Sequence, residues 1–365
     1  MRRVSVLQPY VPNYRVPFFD GLVERLRGDE IELRVFAGGP PSSQAARKDA
    51  SSTNPWERRI DSRELSLFGR VISAPRVPAD FFDSNGVIVG LVGSQLHPYM
   101  AMLRRRLGGA RLGVWGHVAS YVAPPNALDM HLERMMLRTA DQVFAYTPSG
   151  AEFAREQGAE AGRVTTVMNS VDTSGLLVEI QRLSEGGALA LGGVVPGRRY
   201  LAYIGGLDQS KRIDFLAQSL DRLWTRDRSV VLLVAGRGDQ ESLLRRAIER
   251  GQVIMVGYAD DRLLAQLAAA ASAIVMPGRI GLVAVHALAM GLPILTVDWP
   301  YHAPEFEYLT PGESVHVLAN DVDAFAQAMS WDWGRSDPKA ARWAFPTLDE
   351  MVRNFATGVC RMLDT

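Results

Sequence analysis

A single cysteine, Cys360, in 365 residues excludes an intramolecular disulfide and any cysteine cage for zinc or an iron–sulfur cluster. Lysine is almost as scarce: Lys48, Lys211 and Lys339 are the only ones, so nearly all positive charge is arginine. Charge of one sign is not in excess either, with 40 basic and 40 acidic residues. That balance gives no global field to hold nucleic acid, and no basic stripe interleaved with aromatics replaces it. Long apolar runs are missing as well. The richest, residues 267–276, is mostly alanine and stops at Pro277, short of the roughly 20 residues a membrane span needs. After Met1-Arg2-Arg3 the apolar stretch ends at Gln8 and Pro9, too short for a signal-peptide core. A cytoplasmic location is the expectation.

What is present is the material for two α/β units. The length exceeds one ordinary domain, 47% of residues are apolar and 22% charged. In the first half, β-branched runs at residues 4–7, 31–37, 87–92, 112–115, 142–146 and 164–167 alternate with helical patterns at 17–26, 98–107, 128–140 and 149–157. From Thr173 to Arg198 the periodicity fades and paired glycines interrupt it, which predicts a linker. The second half repeats the pattern, with strands expected at 200–204, 230–235, 253–256, 273–276 and 293–297. Each runs into a loop marked by Gly or Pro, and in an open parallel sheet those loops share the carboxyl edge where ligands bind. Residues 349–363 form a last amphipathic pattern, with Met351, Phe355, Val359 and Met362 on one side. The predicted fold class is α/β: two Rossmann-like parallel-sheet domains facing a cleft. The boundaries are 1–175 for the first domain, 176–198 for the linker, 199–345 for the second, ligand-binding domain and 346–365 for a helix returning to the first domain.

Two common nucleotide motifs are absent. The first strand turns through Pro9-Tyr10-Val11-Pro12 with no G-x-G-x-x-G, against a dinucleotide oxidoreductase, and no P-loop occurs. Asp321-Val322-Asp323 opens a helix, where capping and dipole account for two acids, so no metal site is expected. Ile280-Gly281-Leu282-Val283 leads from a strand into a helix, whose first amides suit an anionic diphosphate. Lys211 follows the first strand of that half by one loop; it is a phosphate ligand or a solvated loop lysine. His117 stands behind a glycine just after the strand at 112–115, at the first domain's sheet edge, and is a ligand-side candidate or a satisfied turn residue. Residues 121–126, from Tyr121, suit a ligand loop or a plain connection. Arg104-Arg105-Arg106 beside Met100, Met102 and Leu103 is a solvated helix face or a peripheral contact with an anionic membrane.

Residues 200–317 resemble the donor-binding domain of the large retaining GT-B glycosyltransferase family, the family 4 type also called glycosyl transferase group 1. Ile204-Gly205-Gly206-Leu207 with Lys211 resembles its G-R-L…K phosphate loop, and Ala235-Gly236-Arg237-Gly238-Asp239 its G-x-G loop. Val256-Gly257-Tyr258 resembles the segment beside the base. The run Pro277-Gly278-Arg279-Ile280-Gly281-Leu282 through His286, and Pro304-Glu305, resemble the E-x7-E helix start and the P-E that closes the site. Tyr14-Arg15-Val16-Pro17, Trp115-Gly116-His117 and Asn169-Ser170-Val171-Asp172 are similar to segments of bacterial polysaccharide-assembly members.

The resemblance implies a retaining, metal-independent glycosyltransferase without a cofactor, using a UDP- or GDP-sugar as donor and a glycan or lipid-linked acceptor. His117, Lys211 and Glu305 would be catalytic. The donor would meet Gly206, Arg212, Gly236, Arg237, Tyr258, Gly278, Arg279, Gly281, Leu282 and His286, with Tyr14, Arg15 and Tyr121 on the acceptor side. Three positions depart from the family. Gly278 and His286 replace its two glutamates, which contact the donor sugar and the ribose, and Gly206 replaces the arginine of G-R-L. Arg212, Arg237 and Arg279 are the candidate substitutes for that arginine. Because of these departures a degraded family member, binding nucleotide as a scaffold subunit, stands as the alternative.

Overall fold

The computed structural model describes the chain except residues 40–53, 68–69, 93–95, 119–126, 190, 196–197 and 335–342. Tyr121, Lys48 and Lys339 lie outside the described residues. The chain divides into two compact units, residues 1–172 with 346–365, and residues 173–345.

In the first unit the strands are β1 (Arg2–Gln8), β2 (Ile31–Ala37), β3 (Glu57–Arg59), β4 (Ser62–Leu67), β5 (Arg70–Pro75), β6 (Gly86–Gly90), β7 (Arg111–Gly116), β8 (Gln142–Ala145) and β9 (Val164–Thr166). Its helices are α1 (Val16–Gly28), α2 (Ala79–Phe82), α3 (His97–Arg106), α4 (Ala127–Thr139) and α5 (Pro148–Glu156). Seven strands form one sheet in the order β3-β2-β1-β6-β7-β8-β9, every pair parallel, while β4 and β5 make a separate antiparallel hairpin. The parallel core is as expected; β3, the hairpin and α2 were not read from the sequence.

The second unit opens with α6 (Ser174–Ser184), so the stretch expected to be a linker from residue 176 is helical through Ser184. The physical reason is a narrow apolar face: Leu176 and Ile180, four apart, are buried in the second core. Then follow β10 (Arg199–Ile204), α7 (Ile213–Arg226), β11 (Val230–Ala235), α8 (Arg245–Glu249), β12 (Val253–Gly257), α9 (Asp261–Ala270), β13 (Ile274–Val275), α10 (Val283–Met290), β14 (Ile294–Val297), β15 (Val315–Leu318) and α11 (Val322–Met329). The six strands run parallel in the order β12-β11-β10-β13-β14-β15. Every residue of β11 is buried, as a parallel strand covered on both faces must be. α10 is apolar almost throughout and ends on Gly291, whose φ of 66° supplies the left-handed C-terminal cap.

The last element, α12 (Leu348–Asp364), belongs to the first unit and packs on α1, β7, β8 and β9. Thr347 starts it, its side chain accepting from the Glu350 amide at 3.1 Å. Met351, Phe355, Val359 and Met362 are wholly buried, the face that the spacing predicts. Phe355 stacks on Phe144 at 4.3 Å and meets Phe18 and Trp115 edge-on.

Candidate functional site

Parallel strands put the loops after β10, β11, β13 and β14 on one edge of the second sheet, and backbone hydrogen bonds join those loops into a continuous rim. The Gly205 amide donates to the Ala235 carbonyl at 3.0 Å, Leu207 to Arg237 at 3.0 Å, and Gln240 back to Leu207 at 3.0 Å. This braid requires glycine at two places. A Cβ on Gly236 would stand 1.8 Å from the Gly205 carbonyl oxygen, and one on Gly238 2.1 Å from that of Leu207. Beneath the rim the buried Tyr203 hydroxyl donates to the Gly206 carbonyl at 2.6 Å. Burial first, then the charge of Asp208, raises that phenol well above its ordinary pKa.

The next joint carries Lys211. Asp208 caps a short 3-10 turn, its carboxylate accepting from the Ser210 amide at 2.9 Å, and Arg212 follows with φ 55° and ψ 50°. A left-handed arginine is an uncommon, strained choice, and it turns the chain into α7 immediately after Lys211. The Arg279 amide donates to the Ser210 carbonyl at 2.9 Å, and the Lys211 ammonium donates to the Arg279 carbonyl. Gly278 lies directly under this joint: a Cβ there would fall 2.4 Å from the Lys211 carbonyl carbon and 2.6 Å from its Cα. The space that an acidic side chain would use at position 278 is therefore filled by the Lys211 backbone.

Past Gly278 the rim continues to a histidine that sequence spacing did not single out. The Ile280 amide donates to His302 Nδ1 at 3.2 Å and the Ala303 amide to the Ile280 carbonyl at 2.7 Å. With Nδ1 accepting, the proton of the neutral ring is on Nε2. The ring stacks on Phe306 at 4.3 Å. Desolvation, with the charges of Lys211 and Arg279 adding to it against Val297 and Asp298, lowers the His302 pKa from 6.5 to about 4. Gly281 and Leu282 then enter α10, where the Gly281 and Leu282 carbonyls accept from Ala284 at 2.8 Å and Val285 at 3.0 Å. The Glu305 side chain is 3% exposed and faces this turn, with Oε2 3.8 Å from where a Gly281 Cβ would be.

The remaining expected residues divide clearly. Gly206, Arg237 and Tyr258 are exposed beside the rim, and the side chain of Arg279 is half-buried. His286 sits on α10, where desolvation takes its pKa from 6.5 to about 4. Arg212 is held away from free solvent: its guanidinium lies between the rings of Phe215 and Trp299, at 4.3 and 4.4 Å, and donates to Asn320 at 2.8 Å. That engagement weakens Arg212 as a stand-in for the missing phosphate arginine and leaves Arg237 and Arg279. Asp321 caps α11 at Ala324, and Asp323 pairs with Arg226 at 3.3 Å, so both acids have structural work.

The first unit places Tyr14 on its surface and His117 at the carboxyl end of β7. His117 meets the Tyr146 ring edge-on at 4.6 Å, and Val118 after it holds a φ of 62°, a strained value for a buried β-branched residue. Arg15, expected on the acceptor side, is instead 7% exposed and donates to Asn169 Oδ1 at 2.6 Å. The rings of Tyr14, Phe18, Trp115 and Tyr146 surround its guanidinium. It is a buried brace between Asn169 and α12, the Met351 sulfur being 3.5 Å away.

The two depressed histidines give a pH prediction. Between about pH 4 and 6.5 the unfolded chain binds protons at these sites that the folded chain does not, so stability rises with pH across that window and is level above it. Acidifying from about pH 7 to pH 5 should lower stability by a few kcal/mol at most, and the double variant His286→Gln, His302→Gln should flatten the slope. Urea midpoints at both pH values check this; equal slopes for parent and variant would mean that other groups set the acid sensitivity.

Residues 198–331 match the family model described as Glycosyl transferases group 1. Among solved structures, the chain is similar to sucrose-phosphate synthase from Thermosynechococcus elongatus, at 16% identity over 100% of this chain and 97% of that one, with a TM-score of 0.61. It is similar to Anabaena HepE in complex with UDP and glucose, at 12% identity over 99% of each chain and a TM-score of 0.63. S. aureus TarM, in a structure that contains UDP, matches at 9% identity over 100% of each chain with a TM-score of 0.56. Comparison with curated proteins gives no match. At these identities the structural likeness establishes the fold, that of GT-B glycosyltransferases.

Proposed function

We propose that this chain, which carries a group 1 glycosyltransferase domain at residues 198–331, transfers a sugar with retention of configuration from a nucleoside-diphosphate sugar to a glycan, glycolipid or small-molecule acceptor. The observation that carries the reading is the hydrogen-bonded rim of four loops, which sets Lys211, the first turn of α10 and the buried Glu305 on the carboxyl edge of one parallel sheet. HepE and TarM were solved with UDP, so a UDP-sugar is the first donor to test, with a GDP-sugar second.

The chemistry follows from charge. As the glycosidic bond to the diphosphate breaks, negative charge grows on the leaving oxygens, and the Lys211 ammonium and the Gly281 and Leu282 amides stabilise that charge better than the ground state. Glu305 holds the donor sugar or its ribose, and His286, neutral at physiological pH, can give or accept one hydrogen bond to the ribose. The diphosphate is neutralised without a metal ion, since Asp321 and Asp323 are committed to a cap and an ion pair. On the first unit, His117 serves the acceptor. The setting is cytosolic assembly of a bacterial polysaccharide or glycoconjugate; no helix among the described residues is long and apolar enough to cross a membrane.

A panel of UDP, GDP, ADP, CDP and dTDP in a thermal-shift assay tests the reading. Ligand at a hundred times its dissociation constant stabilises the native state by about 2.7 kcal/mol. One diphosphate should raise the midpoint, and the matching sugar donor should release it with an acceptor mixture. A second reading, a nucleotide-binding scaffold that has lost turnover, is favoured by Gly278 and His286 at the positions of the family's acids. Binding with no release from any sugar donor would select it; no response to any diphosphate would reject both.

A further inference from the structure

α3 presents an apolar line to solvent. Leu96, Met100, Leu103 and Leu107 are 49%, 40%, 61% and 77% exposed, and their spacing of four, three and four residues puts them on one face of the helix and its two end residues. Scattered exposed apolar side chains are ordinary on a soluble protein; four in register are not. At 3.6 residues per turn, Arg104 and Arg106 fall roughly 70–90° to either side of that line. The helix cannot roll to hide it. Ala101 and Met102 are buried on the inner side, and Arg105 is clamped there to the 1% exposed Asp141 carboxylate at 2.5 and 2.8 Å.

We infer that this face of α3 docks on an anionic lipid membrane. An apolar stripe bordered on both sides by cations is the arrangement of a helix lying in a membrane interface, its leucines among the acyl chains and its arginines at the headgroups. Charge selects the partner: neither Arg104 nor Arg106 forms an ion pair among the described residues, and the Arg104 guanidinium lies over the Phe82 ring at 4.4 Å. Asp129 and Glu133 of α4 act on Tyr99, on the Arg106 flank, and Asp80 and Asp83 belong to the α2 segment whose Phe82 carries Arg104. The residues that looked from sequence like one basic run thus have separate roles, Arg105 inside and its neighbours outside. This surface goes beyond the transfer reaction and does not depend on it.

Flotation of the full chain with vesicles tests the inference, using phosphatidylcholine alone and with a third of the lipid replaced by phosphatidylglycerol. The chain should float with the anionic vesicles, less so at high salt, and only weakly with the neutral ones. Leu103→Glu with Leu107→Glu should lower the partition coefficient roughly a hundredfold, and Arg104→Gln with Arg106→Gln roughly tenfold. Both variants should keep the parent's thermal midpoint and nucleotide response, which separates a failure here from a failure of the proposed function. Absence of flotation, or flotation unaffected by the leucine changes, overturns the inference. So does a parent dimer in sedimentation that the leucine changes dissociate, since the stripe would then be a contact between two copies of this chain.

Discussion

Gly278→Glu, which writes the family's first acidic residue back into this chain, is expected to abolish nucleotide binding rather than to improve turnover. The glycine reads in sequence as a lost sugar contact, but its Cβ position lies 2.4 Å from backbone carbon of Lys211, and backbone cannot swing aside as a side-chain tip would. Relief requires moving the Lys211–Arg212 turn, together with the Arg279 amide bonded to Ser210 and the Lys211 ammonium on the Arg279 carbonyl. Overpacking of this kind costs about 3 kcal/mol. For domains of this size that lowers the melting midpoint by roughly 6–12 °C. Gly278→Ala should show most of the stability loss. A Gly278→Glu protein with parental midpoint and higher turnover would mean that the joint opens in solution and that the acid's space is available after all.

Lys211→Ala is expected to lower kcat by about 10²–10³, the cost of removing one preorganised donor from a developing anion. Lys211 also holds the loop after β13 through the Arg279 carbonyl, so charge and tether need separating. Lys211→Met keeps the aliphatic stem and its packing but cannot donate. It should lose as much turnover as the alanine variant while keeping more of the thermal midpoint. Recovery of turnover in the methionine variant would move Lys211 from the chemistry to the scaffold. The two experiments interlock, because the same backbone that excludes a side chain at position 278 places the ammonium.

The fold was readable where burial leaves a simple imprint. β11, and β10 from Tyr200 onward, are apolar runs ended by glycine, as doubly covered parallel strands must be, and the apolar spacing in α12 marked Met351, Phe355, Val359 and Met362 of its buried face. Where burial is partial the imprint fades. α6 buries only Leu176 and Ile180 and leaves Val178 65% exposed, so its period was lost among the glycines that follow. The hairpin of β4 and β5 mixes Arg63, Glu64 and Arg70 into its strands, and β15 is four residues with one fully buried. At the site, the motifs located the rim, since its glycines are required by backbone contact. They were silent on His302, whose importance is a through-space bond to Ile280, twenty-two residues away along the chain. They were silent too on the aromatic cage around Arg15, whose rings come from three separate stretches of sequence, at 14–18, 115 and 146.

α12 makes the first unit discontinuous in sequence, and this constrains how the chain is made. A ribosome releases β1 to β9 first, yet Phe18, Trp115 and Phe144 have no Phe355 to close over them until the last twenty residues, 346–365, emerge. The second unit, residues 173–345, is contiguous and can condense while the first still waits. The half that is synthesised earliest is therefore the half that completes its core last, with an aromatic surface uncovered throughout the translation of the other.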